Sequence, residues 1–86
     1  MIVHTHRIFN KKFVRLSQKL KVRFKERRDL FLQEPFHPLL DNHALTGDRI
    51  GQWSINVTGD WRAIYEFLDS ETIIFMDIDM HSNLYK

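Results

Sequence analysis

The stretch WSINVTGDWRAIYEFL, residues 53–68, decides the fold. Its first half alternates apolar with polar side chains from Trp53 onward and ends at the pair Gly59 and Asp60. A period of two is typical of a half-buried strand, and glycine next to aspartate favours a tight turn. Residues 61–68 are again rich in aromatic and branched side chains. The stretch therefore predicts two antiparallel strands joined by a hairpin turn.

The sequence after this hairpin predicts one more strand. Asp69, Ser70 and Glu71 favour a turn, and residues 72–78 are apolar on both faces, as in a central strand. We expect the last six residues, HSNLYK, to leave the sheet.

The sequence before the hairpin predicts a strand, two helices and a loop. Residues 2–6 are short and β-branched, which favours a first strand. Apolar side chains then recur at helical spacing, at Phe9, Phe13, Leu16 and Leu20. A second helix is expected over residues 19–33, because Pro35 disfavours helix at the preceding residue. Residues 35–51 hold two prolines and two glycines, and predict a long loop with little regular structure.

Together these elements predict one α+β domain over residues 1–86, in the order βααβββ. A mostly antiparallel, twisted sheet would pack against an N-terminal helical hairpin, since 86 residues suffice for one core. The absence of cysteine excludes disulfides and thiolate metal sites. No apolar run is long enough for a signal peptide core or a membrane span, so we expect a cytoplasmic protein without membrane contact.

The basic residues are concentrated in the helical region. Nine of the thirteen Lys and Arg lie in residues 11–28, beside one acid, Glu26. One interpretation is a surface for nucleic acid that includes Lys19, Arg23 and Arg27. The other is a solvated pair of helices, and the pattern alone leaves both open.

One end of the predicted sheet gathers polar residues. The second strand runs up to Gly59, the third runs down from Trp61, and the fourth runs up again. Asp60, Arg62 and His81 therefore share one end, and Asn56 lies nearby. We expect the tail to place Tyr85 over the same end.

These residue types suit RNA cleavage by attack of the 2′-hydroxyl on the adjacent phosphate. That reaction needs a base, a cation for the phosphate and an acid for the leaving oxygen. Arg62 could bind the phosphate, and His81 could protonate the 5′-oxygen. Trp61 or Tyr85 could stack on an unpaired base.

Each of these residues also has a structural interpretation. Asp60 suits a turn, and Trp61 suits a core. Arg62 could pair with Glu66 or Asp79 on the sheet surface, while His81 could be an exposed tail residue. His4 and His6 share a strand face, but we expect no metal site and no cofactor, because no carboxylate or cysteine motif accompanies them.

Three short motifs resemble the YafQ-like branch of the RelE/ParE toxins. The first is a loop histidine in an H-x-L-x-G setting, at residues 43–47, and the second is the pair Asp60 and Trp61. The third is a terminal H-S-x-L-aromatic sequence at residues 81–85. With the βααβββ order, the resemblance covers essentially the whole chain.

The resemblance implies an endoribonuclease that cuts messenger RNA in the A site of the 30S ribosomal subunit and is inhibited by a cognate antitoxin. By position, His43, Asp60 and His81 would transfer protons or support that transfer, while Trp61 and Tyr85 would line the RNA site. Arg62 matches a related pattern in other RelE-type branches, where an arginine contacts the scissile phosphate.

The chain departs from the YafQ pattern at Asn56, where that pattern has a second histidine. Asparagine cannot exchange a proton at neutral pH, so the base is left open between His43 and Asp60. Strand tracing starts the second strand at the far end, so residues 44–51 would have to bring His43 back. Eight extended residues reach about 26 Å, which makes this possible.

Two other functions remain open at this stage. The same superfamily includes toxins that poison gyrase, and fold does not settle function. Asn56 also raises the possibility of an inactive remnant that binds only an antitoxin.

Overall fold

The computed structural model describes residues 1–84, which form five strands and three helices. The strands are β1 (Ile2–Thr5), β2 (His43–Ala44), β3 (Trp53–Thr58), β4 (Trp61–Asp69) and β5 (Thr72–Met80). The α-helices are α1 (Arg7–Phe13), α2 (Gln18–Gln33) and α3 (His81–Leu84), and two short 3₁₀ turns cover Pro38–Leu40 and Gly47–Arg49. None of the helices in these 84 residues is long and apolar enough to span a membrane.

The strands form one sheet in the order β1-β5-β4-β3-β2. β1 pairs with β5 in parallel, and all other neighbours are antiparallel. The predicted hairpin is confirmed: β3 and β4 pair, and Gly59 takes a positive φ of 50° in the turn between them. The predicted α+β class and mostly antiparallel sheet are therefore confirmed.

The face of the sheet that α1 and α2 cover is aromatic. Phe24 of α2 is 3% exposed and lies with its ring centroid 5.1 Å from those of both Phe9 and Phe75. Phe31 packs edge-on against Tyr65 at 4.9 Å. Tilted and edge-on ring pairs at these distances add to the stabilisation from burial alone. We call this side of the sheet the helix-covered face.

The first helix is shorter than the apolar spacing predicts. It ends at Phe13, and Ser17 begins the second helix by accepting a hydrogen bond at Oγ from the Leu20 amide, 3.2 Å away. Leu16 lies in the turn between the two helices and Leu20 lies in α2, so their spacing from Phe13 resembles that of one helix without belonging to it. The N-cap role of Ser17 is the local signal for that break.

Arg27 of α2 connects the helices to the sheet. A β-bulge between Asn56 and Thr58 shifts the register of β3, and Arg27 Nε donates to the Val57 carbonyl oxygen there, at 3.1 Å. A buried backbone carbonyl needs a hydrogen-bond donor, and Arg27 supplies one where the ladder is irregular. Arg27 therefore contributes to packing.

Residues 35–51 form the expected ordered loop with little regular structure, but the sequence pattern did not predict its one short strand. His43 and Ala44 form β2, which pairs with Ser54 and Trp53 at the edge of the sheet. Two residues carry no detectable period, so β2 could not be recognised from the pattern. This pairing fixes where His43 lies.

The chain leaves the sheet after Met80, as expected, and turns back over it as α3. Leu84 is 4% exposed and packs with Leu45 and Ile64 in a small second core. Ile64 alternates in β4 with Ala63 and Tyr65 of the main core, so this second core lies on the opposite side of the sheet. We call that side, with Ser54, Arg62 and Ile64, the polar face.

Candidate active site on the polar face

A cavity of about 280 Å³ on the polar face brings His43 and His81 together with Arg49. The three side chains come from β2, α3 and the second 3₁₀ turn, and short segments of the loop complete the wall. Strand tracing had required the loop to bring His43 back to the turn end of the sheet. Instead His43 stays beside Ser54, and α3 brings His81 to it.

The position of His81 is fixed by contacts on both sides of α3. Its backbone N–H donates to the Asp60 carbonyl oxygen at 2.7 Å, which turns the chain at the end of β5. Further along, Asn83 Nδ2 donates to Asp79 Oδ1 at 2.9 Å, and the Leu84 side chain is buried. A single helical turn is too short to be stable alone, so these contacts hold His81 in place.

The junction of β5 and α3 carries an ion pair with α1. Lys12 Nζ lies 2.8 Å from Asp77 Oδ1 and 3.0 Å from Asp79 Oδ2. Burial alone would raise the pKa of Asp79, but hydrogen bonds from Asn83, the Met80 amide and Lys12 outweigh it and lower that pKa. Asp79 is therefore a carboxylate at neutral pH and can hold α3.

His43 has a defined tautomer because of Asp41. His43 Nδ1 lies 2.8 Å from the Asp41 carbonyl oxygen. Arg62 Nη2 lies 3.5 Å from the same nitrogen, but the contact with the carbonyl oxygen is much shorter. Because a carbonyl only accepts hydrogen bonds, this shorter contact favours the hydrogen on Nδ1. In the neutral ring Nε2 then carries the lone pair and can accept a proton.

Asp41 itself has an uncommon backbone conformation, with φ 44° and ψ 48°. Left-handed geometry is costly for most residues, and aspartate is among the few that tolerate it. It follows the 3₁₀ turn Pro38–Leu40 and aims the Asp41 carbonyl at both His43 Nδ1 and Arg62 Nη2, the latter at 2.7 Å. The next residue, Asn42, accepts a hydrogen bond from Tyr65 Oη at 3.0 Å, which fixes the loop on the sheet.

Tyr65 serves this purpose as a neutral phenol. Burial raises its pKa to about 12, although the hydrogen bond to Asn42 opposes that rise. Its ring belongs to the main core, while its hydroxyl reaches the loop before β2. The position of the loop before β2, and with it that of the candidate site, thus depends on the packing of Tyr65 in the main core.

Arg62 is buried, with 6% of its surface exposed. Nε donates to Ser54 Oγ, Nη1 to Asp41 Oδ2 at 3.2 Å, and Nη2 to the carbonyl oxygens of Asp41 and Ser54. Four of its five N–H groups are thus engaged. The surface pairing with Glu66 or Asp79 considered from the sequence is not what forms; the carboxylate partner is Asp41.

The remaining predicted site residues lie around the β3–β4 turn. Asp60 is exposed and meets His81 through its backbone carbonyl. Asn56 donates from Nδ2 to the Gly59 carbonyl oxygen at 3.2 Å and so braces the turn. Trp61 is half-buried against the main core. Tyr85 lies outside the described residues, so its placement stays a prediction.

The three basic residues predicted to contact RNA have different surroundings. Lys19 is exposed, Arg23 pairs with Glu26 at 3.3 Å, and Arg27 bonds to the Val57 carbonyl. Lys19 and Arg23 are thus the members of the trio that a partner can reach most easily. In residues 1–84 no cluster of three or more His, Cys, Asp or Glu is arranged to hold a metal ion.

Several solved toxins share this architecture. A YoeB/ParE toxin from Agrobacterium tumefaciens superposes with a TM-score of 0.79 at 19% identity, over 94% of this chain and 99% of that one. YafQ from E. coli gives 0.78 at 22% identity, over 98% and 97% of the two chains. The chain has the RelE/ParE toxin fold. The protein also superposes on a chain of an E. coli DinJ-YafQ toxin-antitoxin complex. The TM-score is 0.76 at 24% identity, over 98% of this chain and 96% of the chain in the complex.

A relative is also found by sequence similarity. The chain is 41% identical over 39 residues to an endoribonuclease HigB from Proteus vulgaris. The match spans 45% of this chain and 42% of that protein, so it covers less than half of the relative. No protein-family model matches the chain.

Two residues of the site were missed from the sequence. Asp41 and Arg49 lie in the loop before β3, on either side of His43, and neither belongs to a periodic pattern. The length of that loop was the available signal, since long ordered loops often carry function.

Proposed function

We propose that the protein is the toxin of a toxin-antitoxin pair and cuts messenger RNA with His43 and His81 as the proton-transfer pair. The single observation that carries this proposal is the cavity that both histidines line. Two imidazoles that face one space can serve as base and acid in the same reaction.

In the proposed reaction, His43 Nε2 removes the proton of a ribose 2′-hydroxyl. The 2′-oxygen attacks the adjacent phosphorus, and a 2′,3′-cyclic phosphate forms as the bond to the 5′-oxygen breaks. His81 donates the proton that the leaving 5′-oxygen needs. The hydrogen bond from His43 Nδ1 to the Asp41 carbonyl supports the assignment of the base, because it presents Nε2 to the cavity.

Asp60, the other candidate for the base, fits a supporting role better. The residues that line the cavity do not include it, and its carbonyl holds the N–H of His81. The sequence had suggested that Arg62 binds the phosphate. Its hydrogen bonds to Asp41 favour another role, in which Arg62 fixes Asp41 and Asp41 in turn orients His43. We propose RNA contacts for Asn56, Tyr85 and the exposed part of Trp61, whose ring otherwise packs against the main core.

The partners follow from charge and from the relatives. We propose that Lys19 and Arg23, with a smaller share from Arg27, face ribosomal RNA while the messenger occupies the A site. The HigB match and the DinJ-YafQ complex support an RNA substrate and a cognate antitoxin. Such a protein would act in the cytoplasm.

The test is expression of the wild type, His81→Ala and His43→Ala, with mapping of messenger RNA 5′ ends on translating ribosomes. We expect new ends in the wild type and a loss of at least about a hundredfold in each variant, which is the usual contribution of acid–base groups. Growth arrest by the wild type without new RNA ends would indicate another target, such as gyrase. Neither arrest nor new ends would indicate an inactive remnant, to which Asn56 points.

A further inference from the structure

We propose that Arg49 is a catalytic residue that binds the scissile phosphodiester. The sequence motifs do not include Arg49, and they had suggested Arg62 for this role. The proposal rests on the proposed function and names the cation that the reaction requires. It rests on the position of Arg49 in the cavity that both histidines line, and on the neutral character of the two groups in residues 1–84 that hold its guanidinium.

Arg49 is held in the cavity wall by neutral groups. Its Nε donates to the Leu84 carbonyl oxygen at 2.9 Å, and its Nη1 donates to Gln52 Oε1 at 3.0 Å. These contacts orient the guanidinium, and among residues 1–84 no carboxylate forms an ion pair with it. They also leave three of the five N–H groups for an anion in the cavity.

Arg62 provides the contrast. Its charge is neutralised by the Asp41 carboxylate, and four of its N–H groups are engaged. A phosphate would have to displace Asp41 to reach it. Arg49 needs no such exchange, since neither of its partners is charged.

The geometry also explains why the two histidines need Arg49. Attack on the phosphate places additional negative charge on its non-bridging oxygens, between the base and the acid. A guanidinium that is fixed in advance stabilises that charge more effectively than mobile solvent does. Its planar fork suits two phosphate oxygens at once.

The test of the anion site uses inorganic phosphate. Titration of the full-length protein, followed by NMR of the imidazole signals, should shift the signals of His43 and His81 in a saturable manner. The shifts should persist in Arg7→Gln, which removes the same charge at an exposed position of α1, and should be lost in Arg49→Gln. Equal shifts in Arg49→Gln, or none in the wild type, would overturn the proposal.

A second experiment measures the rate of RNA cleavage by Arg49 variants. Arg49→Gln should lower kcat by about 10²–10³-fold, the usual loss for one preorganised donor, whereas Arg49→Lys should recover part of it by restoring charge. A purely structural role would instead lower the melting temperature in both variants and give lysine no advantage in kcat. If the wild type binds phosphate through Arg49 but cuts no RNA, the proposed function fails while the anion site stands.

Discussion

The two faces of the sheet are built by different means. The helix-covered face is apolar and continuous, and rings such as Phe24 and Phe75 that lie far apart in the chain pack together there. The polar face is assembled from a loop, an edge strand and a single helical turn. Its groups are held by directional hydrogen bonds, above all those of Asp41 with His43 and Arg62.

The two faces therefore contribute differently: the helix-covered face to the stability of the fold, and the polar face to the proposed chemistry. The stability of an aromatic core depends above all on its packed volume, so the loss of a ring is costly. Proton transfer depends instead on orientation, since an imidazole that rotates presents the wrong nitrogen. We therefore expect substitutions on the helix-covered face to unfold the protein, and substitutions on the polar face to lower activity before stability.

The largest expected effect is that of Phe24→Ala. Removal of a buried phenylalanine costs about 3–5 kcal/mol, a large part of the stability of a domain of this size. Urea unfolding should show this loss, while Phe36→Ala, whose ring is 69% exposed, should cost about 1 kcal/mol or less. Similar losses for the two variants would mean that the helix-covered face does not carry the core.

A smaller effect is expected at Asp41. Asp41→Gly and Asp41→Ala both remove the carboxylate next to Arg62, but alanine resists the left-handed backbone. Asp41→Gly should therefore be more stable than Asp41→Ala by about 1 kcal/mol in urea unfolding. Asp41→Asn should keep most of the cleavage rate, because asparagine tolerates that backbone and keeps the carbonyl in place.

The ¹⁵N shifts of the His43 ring provide a readout that stability does not affect. The hydrogen should stay on Nδ1 in Asp41→Asn and exchange between both nitrogens in Asp41→Ala. Equal stability for the glycine and alanine variants, with the His43 tautomer unchanged in all three, would show that Asp41 does not position the base.

The helix-covered face was largely predictable from the sequence. Alternation along residues 53–58 and the aromatic run that follows identified β3 and β4, because burial on one face imposes a period of two. The end of α1 was missed, since Leu16 and Leu20 keep helical spacing across the turn that Ser17 caps.

The polar face was predictable only in its parts. The sequence singled out His43, Asp60 and His81, whose roles stay predictions, and it placed them at the β3–β4 turn. The cavity that His43 and His81 line lies where α3 folds back over β2. Arg62 contacts Asp41, which lies 21 positions before it in the chain, and no local pattern encodes such a pairing. The same holds for Arg49, whose partner Leu84 lies 35 positions later.

The measurement that tests the central claim most directly compares two messenger RNAs that differ in one atom. In the second, sulfur replaces the 5′-oxygen at the cleavage position, and because a thiolate leaves without being protonated, the acid becomes dispensable. On translating ribosomes, His81→Ala should cut the sulfur-substituted messenger at nearly the wild-type rate, whereas His43→Ala should remain slow on both. Rescue of His43→Ala, or continued failure of His81→Ala on the sulfur substrate, would contradict the assignment of His43 as base and His81 as acid.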